Sequence, residues 1–248
     1  MLLRLARQVL PSPTRRWLLD HWPWPATPRV GQVKLGSLRR VTPISTRFGF
    51  DRGQPVDRYY IEQFLSRYAG DVSGRVLEIG DPAYTRQFGG GRVTHSDVLH
   101  VTAGNPQATI VADLTQADHL PADAFDCLLV PQTLHLIYDM RAALSTMARI
   151  LRPGGVLLLT VPGISPISRD AWGDSWHWSL TRHSAARLFG EAFPHGEVHI
   201  HTYGNVLAAT AFLQGLARQE LAMAELDAHD PCYPVTVGVR AVKRRADG

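Results

Sequence analysis

Three carboxylates in this chain each follow a short apolar run: Glu78 in the run 75–79, Asp97 in the run 93–101, and Asp113 after the run 109–112. Glu78-Ile79-Gly80 closes the first run, and a glycine there lets backbone approach a ligand with no Cβ in the way. A carboxylate at that point can accept hydrogen bonds from an ammonium group or a ribose. Asp97 follows Glu78 at the separation where an acidic residue commonly accepts both ribose hydroxyls. Asp113 is placed to accept from an adenine amino group. Any one of them alone could cap a turn, as Asp does readily. Together, each after its own run, they point to one nucleoside-binding crevice, with Val98 and Leu114 as neighbouring contacts. A fourth run leads into Pro131-Gln132-Thr133-Leu134-His135, where Gln132 would line the same crevice. His135 is a candidate general base on a hydroxyl, its ordinary pKa lying near neutrality; a helix-start histidine facing a neighbouring loop is the alternative.

These residues need elements to hold them. The runs 76–79, 93–101, 109–112, 125–130 and 156–161 read as buried strands, and 198–203 and 234–242 add two more. Val56, Tyr59, Tyr60, Phe64, Leu65 and Tyr68 fall at helical spacing before Gly70. A second helix over 140–151 stops at Pro153-Gly154-Gly155, a third lies near 184–193, and a fourth runs from Val206 to about Leu226. Strands alternating with helices imply a parallel sheet covered on both faces. In such a doubly wound α/β sheet, ligands bind outside the carboxyl ends of the strands, where the strand order reverses. The expected layout is an N-terminal extension over 1–69 that caps the crevice, then the sheet domain over 70–248.

Composition narrows the class. The chain has 248 residues, 45% hydrophobic and 19% charged, as an ordinary globular protein does. The net charge of +4 gathers at the two ends, without a basic stripe interleaved with aromatics, so no nucleic-acid partner is expected. Cys127 and Cys232 form no C-x-x-C pair and read as reduced thiols. No apolar stretch approaches the roughly 20 residues that span a bilayer, and the expected location is the cytoplasm. The arginines and apolar residues of the first 24 positions suit weak contact with an anionic membrane surface, or a short helix packed on its own domain.

The ordered set resembles the class I S-adenosyl-L-methionine-dependent methyltransferases, in particular methyltransferase type 11-like domains. It comprises the acidic residue and glycine after the first strand, Asp97, Asp113, and the turn Leu151-Arg152-Pro153-Gly154-Gly155. The resemblance implies a Rossmann-like methyltransferase fold with a mostly parallel seven-stranded sheet, and S-adenosyl-L-methionine as cofactor; the sequence picks out no metal-ligand residues. The chain departs from the family at Asp81-Pro82-Ala83-Tyr84-Thr85, where the later glycines of the first loop are missing. Pro82 removes a backbone donor, and Tyr84 adds bulk where the cofactor's amino-acid tail normally lies. Either Tyr84 or Thr85 supplies side-chain contacts instead, or the fold serves another purpose.

Two aromatic and charged segments are candidate acceptor walls: 47–60, with Arg52, Asp57, Arg58 and Tyr59, and 172–178, with Trp172 and Trp176. Packing between loop and sheet is the alternative use of those tryptophans. The whole pattern is similar to bacterial modules found with glycosyltransferases, which implies a sugar or glycan acceptor and a glycosyltransferase association. The expected activity is O-methylation of a sugar or glycan hydroxyl. The alternatives are methylation of a small secondary metabolite, and a degenerate fold acting as a non-catalytic binding or scaffold partner in glycan assembly.

Overall fold

Seven apolar segments pair into one sheet in a computed structural model that describes residues 27–244. They are β1 (Gly74–Ile79), β2 (Val93–His100), β3 (Ile110–Val111), β4 (Phe125–Pro131), β5 (Leu151–Pro162), β6 (Glu197–Tyr203) and β7 (Thr236–Val242). The order is β3-β2-β1-β4-β5-β7-β6. The first five strands run parallel, and β7 is antiparallel to both of its neighbours. The order reverses between β1 and β4, so the crevice of a doubly wound sheet is due just beyond Ile79 and Pro131.

Among the described residues, five α-helices complete the architecture: α1 (Val56–Arg67), α2 (Met140–Ile150), α3 (Arg182–Ala192), α4 (Val206–Leu213) and α5 (Met223–Asp227). Strand side chains alternate between faces. Leu77, Leu128 and Leu157 pack with Met147 of α2 and Phe189 of α3 on one side. Val76, Cys127 and Leu158 pack with Ile61 and Phe64 of α1 on the other. Local chemistry starts the helices. Asp139 accepts from Ala142 N, Thr181 and Ser184 form a capping box, and Asn205 accepts from Leu207 N and Ala208 N. Each such cap contributes about 1 kcal/mol.

Several elements differ from the sequence expectation. The crossover from β1 to β2 has no full helix, only a π-helical turn over Thr85–Gly89 and a 3-10 turn over Gly90–Arg92. The Leu151-Arg152-Pro153-Gly154-Gly155 segment is not a free turn but a bulge inside β5. Leu151 pairs with Phe125 and Val156 with Cys127, so the residues between bulge away from β4, while Gly154 N donates to the Lys243 carbonyl and Lys243 N to the Gly155 carbonyl. The helix expected from Val206 to about Leu226 ends at Leu213. Gly215 has φ +70°, and a Cβ there would stand 2.2 Å from the Ser45 carbonyl oxygen. Ile44 and Ser45 amides donate to the Gln214 carbonyl, so the segment before α1 stops this helix. The chain divides between Val41 and Thr42, which places α1 in the sheet-bearing unit. In the other unit the described residues hold a 3-10 turn over Gly36–Leu38. The membrane contact expected of the first 24 positions lies outside the described residues. No helix among the described residues is long and apolar enough to cross a membrane.

Candidate functional site

A crevice of about 1200 Å³ opens at the carboxyl ends of β1, β2 and β4. That exceeds the roughly 300–1,000 Å³ of most single small-molecule sites, so it has room for two ligands side by side. Gly80, Asp113, Leu114 and Gln132 line it. Gly80 has φ +93°, with open space where a Cβ would be. Its amide donates to the Leu99 carbonyl, and its carbonyl accepts from Asn105 Nδ2. Asp113 combines both roles weighed for it, lining the crevice while accepting from Thr115 N and Oγ1, each at 2.8 Å. Gln132 and Phe48 also line the crevice, both in left-handed conformations, with φ 45° and 56°. Non-glycine residues held there cost about 1–3 kcal/mol each and cluster at functional sites.

Other expected cofactor residues lie elsewhere. Asp97 sits inside β2 opposite Leu77, short of the strand's end, because β2 runs on to His100. Its carboxylate takes Arg75 Nε at 2.7 Å and Thr109 Oγ1 at 3.1 Å. His100, which continues the register beyond Ile79–Leu99, stands at the crevice instead. Glu78 points to the α1 side of the sheet and is 1% exposed. It accepts from Tyr84 N, Thr85 N and Thr85 Oγ1 at 3.1, 2.7 and 2.7 Å. Burial pushes its carboxyl up to about 7 against the pull of those donors. Tyr84 is buried, with its hydroxyl accepting from Arg58 Nη1 at 2.9 Å. Thr85 and the buried Val98 border a separate, shallower depression.

The acceptor candidates divide similarly. Trp172, Trp176, Asp57 and Arg58 line the crevice. Arg52 pairs instead with Glu220, and the Tyr59 hydroxyl donates to Asp227. Trp176 stacks on Phe48 at 5.9 Å and 15°, and meets the His135 ring edge-on at 4.4 Å. Trp172 meets His100 at 6.3 Å. The turn that carries Phe48 is tied by Ser45, which donates to Asp51 and accepts from Arg47 N.

His135 is 1% exposed, and burial lowers its pKa to about 4. The ring is therefore neutral at physiological pH and a weak proton acceptor, which argues against the general-base role considered for it. Both ring nitrogens are buried without partners, as is Asp57 Oδ1. Orphaned buried polar atoms facing a crevice call for a polar ligand. Burial also raises the Asp57 carboxyl, with Arg58 opposing the rise. Arg169, Asp170, Ser165 and Ser168 also line the crevice. Sequence reasoning missed them because they sit in a loop without periodicity, after β5. Among the described residues no group of three or more His, Cys, Asp or Glu is arranged to hold a metal.

Comparison with known proteins adds the following. Residues 80–159, about a third of the chain, match the family profile described as a methyltransferase domain. No curated protein matches the chain in sequence. The plantazolicin methyltransferase BamL, solved with a triazolic desmethylPZN analog and SAH, is 12% identical. The match covers 82% of this chain and 90% of that one, with a TM-score of 0.51. The 4+2 cyclase SpnF is 16% identical over 76% of this chain and 82% of its own, with a TM-score of 0.50. An S-adenosylmethionine-dependent methyltransferase from Mesorhizobium loti is 18% identical over 79% of this chain and 100% of its own, at a TM-score of 0.49. A methyltransferase and a cyclase on one scaffold illustrate that fold alone does not name a chemistry. The chain carries the Rossmann-like methyltransferase fold, and its segment from Gly80 into β5 matches a methyltransferase domain.

Proposed function

We propose that this chain is an S-adenosyl-L-methionine-dependent methyltransferase that methylates a hydroxyl of a sugar or glycan. The observation that carries the reading is the single crevice at the switch point, which joins a nucleoside-suited end to an aromatic, polar end. The methyltransferase-domain match supports the cofactor. So do Gly80, open to close approach, and Asp113, able to accept from an adenine amino group. When bound, S-adenosyl-L-methionine supplies an already activated methyl group, so the protein's task is alignment and exclusion of water. Phe48, Trp172 and Trp176 offer planar faces to a sugar ring. Arg169, Asp170 and the neutral His135 ring offer hydrogen bonds to its hydroxyls. An apolar acceptor would leave those groups desolvated and unpaired, which favours a hydroxylated one. Work beside a glycosyltransferase in the cytoplasm, during glycan assembly, suits such an acceptor.

Titration calorimetry with S-adenosyl-L-methionine and its demethylated product tests the first half. Micromolar affinity is expected, about −8 kcal/mol. No heat and no thermal shift with either compound would remove the methyltransferase reading. A non-catalytic binding or scaffold role would then stand. One observation already favours that second reading: the Tyr84 and Thr85 amides are engaged by Glu78 and do not face the crevice.

A further inference from the structure

The loop after β1 has almost no backbone donors to offer a ligand. Pro82 has no N–H, Ala83 N donates to Asp81 Oδ1, Tyr84 N and Thr85 N donate to Glu78, and Arg86 N donates to the Pro82 carbonyl. A ligand carboxylate cannot rest on those amides. Arg58 of α1 reaches down to the Tyr84 hydroxyl of this loop and lies 5.9 Å from the Phe50 ring centre. No carboxylate within 4 Å pairs with it among the described residues, and its other guanidinium donors remain available. Asp57, the preceding residue, keeps one buried carboxylate oxygen without a partner. Both residues line the crevice that Gly80 also lines. A half-buried cation and a half-buried carboxylate side by side, not joined in a salt bridge, complement a zwitterion.

Resting on the methyltransferase reading above, we propose that Asp57 and Arg58 grip the α-amino-acid end of S-adenosyl-L-methionine. Arg58 takes the carboxylate and Asp57 the ammonium, replacing the amides that Glu78 has drawn away. This moves the pair from the acceptor wall, where the sequence alone suggests them, to the cofactor side. Tyr84 is then a positioning residue, holding the guanidinium over the loop.

The test compares three ligands by calorimetry on the full chain: S-adenosylhomocysteine, its decarboxylated analogue, and 5′-methylthioadenosine, which lacks the amino-acid end altogether. The wild-type protein is expected to bind S-adenosylhomocysteine at least tenfold tighter than either of the others, as for loss of a hydrogen bond to a charged group. Arg58→Met and Asp57→Asn should each weaken S-adenosylhomocysteine about tenfold or more, leave 5′-methylthioadenosine within about twofold, and so erase the preference. Arg58→Lys should restore part of it. Wild-type protein that binds all three ligands equally would overturn the proposal while leaving the nucleoside site standing, and that arm needs no variant to fold. Variants that melt normally yet keep the full preference would overturn it as well. Wild-type protein that binds none of the three would bring down the methyltransferase reading itself, and this proposal with it.

Discussion

Glu78→Gln should change how stability varies with pH more than it changes stability at any single pH. The carboxyl of Glu78 is raised from 4.5 to about 7 by burial, against three donors from Tyr84 and Thr85. A folded-state value above the unfolded one gives stability that is complete below pH 4.5 and lost as pH rises through 7. At about 1.4 kcal/mol per pH unit the loss is roughly 3 kcal/mol. His135 acts in the opposite sense. Its value falls from 6.5 to about 4 through burial, so its contribution is complete above pH 6.5 and lost as pH falls through 4. That too is roughly 3 kcal/mol, and between pH 4.5 and 6.5 the two nearly cancel. Glu78→Gln removes only the falling limb. At pH 5 the variant should be less stable than the wild type by about 1–3 kcal/mol, because its amide turns a donor toward another donor. By pH 8 it should have gained roughly 3 kcal/mol relative to wild type. His135→Leu should unmask the opposite slope. Urea unfolding followed by tryptophan fluorescence at pH 5, 6, 7 and 8 reads both. A wild-type-to-variant difference that stays constant across this range would mean that Glu78 is ionised throughout in the folded protein. The three donors would then outweigh burial.

Asp97→Ala should cost about 1 kcal/mol, the value of a partly exposed ion pair with an added hydrogen bond, and lower Tm by roughly 2–4 °C. S-adenosylhomocysteine affinity should stay within about twofold; a large loss in calorimetry would return Asp97 to the crevice. Gly215→Ala should destabilise by about 2–4 kcal/mol in urea unfolding, since it sets a Cβ against the Ser45 carbonyl in a left-handed conformation. Wild-type stability there would show that the 42–45 segment yields. Trp176→Ala removes the face that stacks on Phe48 and should lower acceptor turnover while S-adenosylhomocysteine affinity shifts by no more than ~0.4 kcal/mol. Unchanged turnover on hydroxylated acceptors would remove Trp176 from the acceptor wall.

Much of the scaffold was legible because its signals are local. The apolar runs of β4 and β5 are buried on both faces and therefore read as continuous hydrophobic stretches. Gly80, Asp113 and Gln132 line the crevice, at positions the sequence marks because strand ends fall where such runs stop. The 213–215 break was not legible, since it depends on a backbone contact with Ser45, far away along the chain. The fate of the carboxylates was equally hidden. The separation from Glu78 to Asp97 is a covalent fact, yet the pairing of Leu77 with Asp97 puts that side chain beside Arg75 rather than at the strand's end. Likewise Glu78 follows the expected motif but points toward α1, where it binds the loop that a ligand would otherwise use. The unpartnered atoms of Asp57 and His135, and the left-handed backbone of Phe48, come from packing between segments distant in sequence. Residue type and spacing act along the chain and mark where strands, helices and their ends fall. Register, facing and desolvation arise only when separate segments meet, and they decide which of the marked side chains face the crevice.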